Sequence, residues 1–135
     1  MGNWIWSLPL VAAAWAGANL AIRRGLAAER VIEAGVPEGL PWREVMVPGV
    51  NDKALFGWFI PTGEPAPALL IMHGWGGNAE MMLPLAAPLH AAGFALLMLD
   101  ARCHGRSADD DFASLPRFAE DIESGLDWLA RQPEV

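Results

Sequence analysis

Two short runs carry the residue types that could do chemistry. The first is His73-Gly74-Trp75-Gly76-Gly77-Asn78, preceded by the apolar residues Ala68 to Met72. The second is Asp100-Ala101-Arg102-Cys103-His104-Gly105-Arg106-Ser107, preceded by the apolar residues Phe94 to Leu99. An apolar run this short, bounded by Pro67 and Gly74, suits a strand covered on both faces, as in a parallel sheet. Gly74, Gly76 and Gly77 permit positive φ and leave backbone N–H groups uncovered by side chains. A strand end followed by exposed N–H groups is where α/β proteins hold anionic or oxyanionic groups. The plainer alternative is a tight strand-to-helix turn without chemistry, since glycines often serve only a turn. For His73, His104 and Arg102 the structural alternative is a hydrogen-bonded brace within its loop.

The elements needed to position these loops can be read in chain order. Trp42 to Val47 reads as a half-buried strand, Pro48-Gly49-Val50-Asn51-Asp52 reads as a turn, and Lys53 to Ile60 reads as a second strand. Together they predict an antiparallel hairpin. Pro61 to Pro67 is a proline-rich loop before the strand Ala68–Met72. Asn78 is placed to cap a helix running to about Ala92, with Gly93 as its stop; Pro84 and Pro88 must bend it or delay its start. Phe94 to Leu99 is a further buried strand. Ser114 caps a last helix, with Leu115, Phe118, Ile122, Leu126 and Leu129 on its core face and Glu120, Asp121, Glu123 and Asp127 on a solvated one. Parallel strands joined by a crossover helix bring both Gly/His loops to one sheet edge, the usual ligand side of an open α/β sheet.

The N-terminal part has another character. Asn3 to Ile22 carries no charge, with Trp4 and Trp6 at one end and Arg23 and Arg24 closing the other. Such a run is long enough to span a bilayer as a helix, and the arginine pair then places the rest of the chain in the cytoplasm. The expectation is therefore a membrane anchor over residues 3–22. Residues 1–18 as a signal peptide of a secreted or periplasmic protein, and a buried or surface-lying helix, are the alternatives. Arg24 to Glu33 has helix-forming composition and extends this unit as a juxtamembrane helix to residue 34. Gly35, Pro37, Gly39 and Pro41 mark a linker over residues 35–41.

Composition narrows the function classes. The formal net charge is −7, and no basic stripe is present to neutralise phosphates, so no nucleic-acid partner is expected. With 53% apolar residues the chain can bury a core. The single Cys103 excludes an internal disulfide framework and argues against a cysteine-rich zinc site. No metal and no cofactor are expected.

Taken together, the hairpin, the run His73–Asn78 after one buried strand and the run Asp100–Ser107 after the next resemble the N-terminal part of the α/β-hydrolase family. The resemblance covers about residues 42–135. It implies an α/β fold: a partial α/β-hydrolase sheet, built of the hairpin plus two parallel strands with covering helices, preceded by the N-terminal hydrophobic helix. Cys103 stands where the family usually has a small residue before the second His-Gly. In that family the turn after the third strand gives one backbone N–H to the oxyanion hole, which by position is that of Trp75. Gly74, Gly76 and Gly77 then allow close approach, His73 supports the turn, and Asp100, Arg102, His104, Gly105 and Ser107 form a structural loop beside it.

The resemblance implies serine-hydrolase-type acyl transfer or hydrolysis in the complete protein, on a small-molecule or lipid-like acyl substrate: an ester, lipid ester, thioester or peptide-like bond. The family's nucleophile sits in G-x-S-x-G, followed by an acid and a histidine. No such pentapeptide occurs here, and none of the triad is assigned to this chain. The chain is accordingly expected to stop short of the nucleophile elbow, to be inactive alone, and to leave the strand Ala68–Met72 as an association-prone sheet edge. Two other readings compete. Gly74-Trp75-Gly76-Gly77-Asn78-Ala79 also satisfies G-x-G-x-x-A, with Asp100 ending the next strand, as in a dinucleotide-binding oxidoreductase fragment. A membrane-anchored binding module without catalysis needs only the anchor and the folded half-sheet.

Overall fold

In the computed structural model, which describes residues 7–25 and 27–135, the sheet is organised around one wholly buried strand. Four strands lie in the order β1 (Arg43–Pro48), β2 (Ala54–Ile60), β4 (Ala95–Leu99) and β3 (Ala68–Met72). All five residues of β4 are buried. β1 pairs antiparallel with β2, β2 antiparallel with β4, and β3 parallel with β4 in the register Ala68↔Ala95 to Met72↔Leu99. The parallel β3–β4 pair sends both following loops to one end of the sheet, while β3 lies at its edge with half-buried residues.

Side-chain alternation splits the core into two layers. Leu55 and Phe59 of β2 and Ala95, Leu97 and Leu99 of β4 face α3 (Leu115–Leu129), together with Val47 and Leu129. Phe56, Trp58, Ile60, Leu96 and Met98 face the other way, under Ala79 and Ala86 of the β3–β4 crossover. α3 approaches the sheet closely at Gly125, where a β-carbon would collide with Leu70 and press on Leu99. Glycine is there for contact, not for an unusual φ.

Several elements differ from the sequence expectation. The crossover predicted as a helix over Asn78–Ala92 is a 3₁₀ helix, Ala79–Leu85, followed by the short α2 (Ala86–Ala91). Pro84 lies inside the 3₁₀ helix, so the regular α-helix begins only after it. Asn78 does cap this crossover, its side chain accepting the Met81 N–H. On α3 the expected faces are rotated. Asp121 is buried, whereas Leu115 and Leu126 are exposed, because the inward stripe runs through Asp121, Gly125 and Leu129.

The N-terminal part needs two corrections. α1 (Ser7–Gly25) is helical, but among the described residues no helix is long and apolar enough to cross a membrane. Its composition gives the reason: alanines of weak transfer energy fill much of the run, and Asn19, Arg23 and Arg24 lie within the helix. The expected membrane anchor over residues 3–22, and the membrane partner with it, thus lack support; residues 3–6 of that run lie outside the described residues. The helix expected over Arg24–Glu33 also stops early, at Gly25. Residues 27–37 form an irregular strap instead, and two of its backbone groups find tertiary partners. Val31 O accepts from Asn78 Nδ2 at 3.1 Å, and the Ala34 N–H donates to Glu80 Oε2 at 2.7 Å.

Candidate functional site

Both Gly/His loops meet at the C-terminal ends of β3 and β4. His73 is buried, and its Nε2 accepts the N–H of Ala101, the first residue after Asp100, at 3.1 Å. An accepting Nε2 places the proton on Nδ1, which donates to Gly74 O at 2.7 Å. Burial lowers the His73 imidazole below its ordinary 6.5, against an opposing pull from the Gly74 carbonyl, which agrees with a neutral ring. His104 is wired alike. Its Nδ1 donates to Arg102 O at 2.9 Å and its Nε2 accepts the Gly76 N–H at 3.2 Å. Each histidine therefore ties one loop to the other, with both ring nitrogens committed to backbone. The rings lie 5.0 Å apart between centroids, and Phe118 of α3 packs against both.

Within the turn, the N–H groups have unequal fates. The Gly77 N–H closes a tight turn onto Gly74 O at 3.0 Å, and the Gly76 N–H is held by His104. Gly76 has φ +73°, a conformation that favours glycine. The Ala79 N–H donates to Asp100 Oδ1 at 2.7 Å. Among the described residues the N–H groups of Gly74, Trp75 and Asn78 meet no protein acceptor. The Trp75 side chain is 48% exposed, its indole edge-on to His104 and Phe118 at the mouth formed by the two loops.

Behind the turn, the Asp100–Ser107 loop is held by fully used polar groups. Asp100 Oδ2 accepts the Arg106 N–H at 2.8 Å. Ser107 Oγ donates to Asp100 O at 2.7 Å and accepts the Phe56 N–H at 2.8 Å. Asp121 accepts from Arg102 N, Nε and Nη2 at 2.8, 2.9 and 2.7 Å. Arg102, 1% exposed, also meets Asp110 and Glu120. Burial alone pulls this guanidinium down, but the three carboxylates hold it above its ordinary value. Cys103 adopts φ +65°, and burial pushes its thiol up, so it is a packed loop residue and not a thiolate. At Gly105, φ is +46° and a β-carbon would fall on the carboxylates of Asp100 and Glu33.

Sequence reasoning missed three participants. The sequence pattern puts Asp121 on a solvated face, gives Phe118 only a core role and places Glu33 on a helix. Only the i, i+4 spacing of Asp121 and Gly125 on α3 hinted that this line faced inward. No serine among the described side chains is poised as a nucleophile. Ser107 is buried in backbone bonds, Ser114 accepts the Arg117 N–H, and Ser124 donates to Glu120 O.

The dinucleotide alternative fares poorly against this geometry. Asp100 is fully buried and spent on Ala79 and Arg106, so it offers no oxygen to a ribose. The turn opens into a 3₁₀ helix, and β2 runs antiparallel to β4 within the sheet. A hollow of about 180 Å³ beside Arg30, Cys103 and Asp109–Ala113 includes no residue of the His73–Asn78 turn.

Comparison with known proteins agrees with this architecture. No protein-family profile matches the chain. An uncharacterized protein of Mycobacterium tuberculosis is 32% identical over 95 residues, which are 69% of this chain and 33% of that protein. The chain spans about a third of the length of the curated relatives it matches. Among solved structures, the Pyrococcus furiosus esterase Pf2001 superposes with a TM-score of 0.72 at 23% identity, covering 81% of this chain and 42% of the esterase. The α/β hydrolase GrgF from a Penicillium species gives a TM-score of 0.63 at 26% identity, covering 70% and 34%. The chain carries a partial α/β-hydrolase-like fold.

Proposed function

We propose that this chain supplies the oxyanion-binding turn of a serine-hydrolase-type acyl-transfer site, with the Trp75 N–H as donor. The observation that supports this reading is the asymmetry within the turn. The N–H groups of Gly76, Gly77 and Ala79 are engaged, whereas among the described residues those of Gly74, Trp75 and Asn78 meet no protein acceptor; of these, Trp75 holds the position of the donor in the turn the chain resembles. A donor fixed before reaction costs no reorganisation when negative charge develops on a tetrahedral intermediate, and one such donor is worth about 2.7–4 kcal/mol of transition-state stabilisation. The two histidines, with both ring nitrogens of each committed to backbone groups, hold the turn rigid. The half-exposed Trp75 indole and Phe118 offer an apolar wall, which fits an ester, lipid ester, thioester or peptide-like acyl substrate. The nucleophile, acid and base are not assigned to residues of this chain.

The test is the coding sequence read on from Val135, with an assay of the protein it encodes. An in-frame G-x-S-x-G within a few dozen codons, and fluorophosphonate labelling of its serine, are expected. A continuation without that motif, or labelling that does not depend on its serine, overturns the reading.

A further inference from the structure

The strap of residues 27–37 does more than connect α1 to the sheet. It lies across both loops of the site, bonded to each. Arg30 Nη1 donates to Gly105 O at 2.6 Å and Ser107 O at 2.8 Å, and Nη2 pairs with Asp109. Val31 O accepts from Asn78 of the turn, and the Ala34 N–H is held by Glu80 of the 3₁₀ helix. Between these bonds Glu33 points inward. Both its carboxylate oxygens are buried, and neither meets a donor. One of them and Asp100 Oδ2 crowd the space where a β-carbon of Gly105 would sit, so two carboxyl groups face each other there. The oxygens of Asp100 already accept the N–H groups of Ala79 and Arg106. Two buried, facing carboxylates repel unless one carries a proton, and a protonated one becomes a donor. Because the Asp100 oxygens are already acceptors, the proton belongs on Glu33.

We propose that Glu33 is a protonated latch: its carboxyl donates a hydrogen bond to Asp100, and loss of that proton releases residues 27–37 from the two loops. The other charged groups around it fit this assignment. Arg106 on the second loop is, among the described residues, the cation acting on Glu33, but its guanidinium is engaged by Glu44 and stacked over Phe56. His73, on the turn, is neutral. Glu80, on the 3₁₀ helix, is turned to the strap backbone, and Arg30, on the strap itself, to the carbonyls of Gly105 and Ser107. Burial first, and the bond to Asp100 second, push the Glu33 carboxyl up from an ordinary 4.5 to about 7. A released strap returns Glu33 to its ordinary value. The closed form therefore binds the extra proton between about pH 4.5 and about 7, and closure weakens as pH rises through that window and levels off above it. Since Asp100 also holds the Ala79 N–H, the latch reaches the far end of the His73–Asn78 turn. The inference does not depend on the acyl-transfer reading, because its readout is structural.

The experiment uses the full chain, with carbon-detected NMR titration of the Glu33 carboxyl and amide hydrogen exchange at Ala34. The expected Glu33 midpoint lies near 7, and Ala34 protection, corrected for intrinsic exchange, falls about tenfold or more from pH 4.5 to 7. Glu33→Gln keeps a donor and removes the proton, so its protection should not change over that range. Glu33→Ala should leave Ala34 unprotected throughout. A Glu33 midpoint in the ordinary carboxylate range overturns the proposal, as does Glu33→Gln losing protection in parallel with the wild type. If Glu33→Ala does not fold, the comparison of wild type with Glu33→Gln still decides.

Discussion

Replacing Asp121 by alanine should be among the most damaging single changes in the loop behind the turn. Asp121 is fully buried and takes three bonds from Arg102, one of them from its backbone N–H. Removing one partner of a buried pair typically costs about 3–5 kcal/mol, because the remaining charge stays out of water unpaired. Here Asp110 and the half-exposed Glu120 stay on the guanidinium, which argues for the lower end, about 3 kcal/mol. For a chain of this size that is a fall in Tm of roughly 10–15 °C. The assay is urea unfolding followed by tryptophan fluorescence at one low protein concentration, with a thermal melt beside it. Glu44→Gln is the control. It breaks the exposed pair with Arg106 and should cost no more than about 1 kcal/mol. An Asp121→Ala cost as small as that of Glu44→Gln would refute the claim that Arg102 is a buried, charge-dependent brace.

Other expected outcomes follow from the same contacts. Gly125→Ala should destabilise by about 1–3 kcal/mol through overpacking against Leu70 and Leu99, measured by the same urea assay; a neutral result would mean that α3 can slide off β3 freely. The isolated chain should show no fluorophosphonate adduct, since Ser107 is locked between Phe56 and Asp100; a label lost in Ser107→Ala would reverse that assignment. Wild type should lose stability relative to Glu33→Gln as pH rises from 4.5 to about 7, because the folded state holds the extra proton there; a pH-independent difference would contradict the raised Glu33 value. Sedimentation should show concentration-dependent association through the β3 edge; a monomer at every concentration would show that this edge is protected.

Much of the sheet was legible because its strands are apolar runs between prolines and glycines. Ala68–Met72 and the core of Phe94–Leu99 appear where their composition places them. The hairpin follows from two short strand-forming runs on either side of the Pro48–Asp52 turn. What stayed hidden depends on partners far away in sequence. Asp121 looks like any carboxylate on an amphipathic helix until Arg102 is brought under it by the β4 loop. Residues 27–33 have good helical propensity, yet Arg30, Val31 and Ala34 find bonds on Gly105, Asn78 and Glu80, and those bonds outweigh propensities of a few tenths of a kcal/mol per residue. The run over residues 3–22 is uncharged, but crossing a bilayer requires apolar residues and alanine contributes little; among the described residues no helix is apolar enough. The two His-Gly loops were visible as motifs, but which N–H groups they consume was not, because that is set by histidine tautomers and not by spacing.

The most direct test of the oxyanion assignment is kcat for ester hydrolysis by the protein read on from Val135, compared between Trp75→Ala and Trp75→Pro. Alanine removes the indole and keeps the N–H; proline removes the N–H. Trp75→Pro should lower kcat about 10²–10³-fold relative to Trp75→Ala, with KM little changed. Equal kcat values in the two variants would contradict the assignment of the Trp75 N–H as the donor.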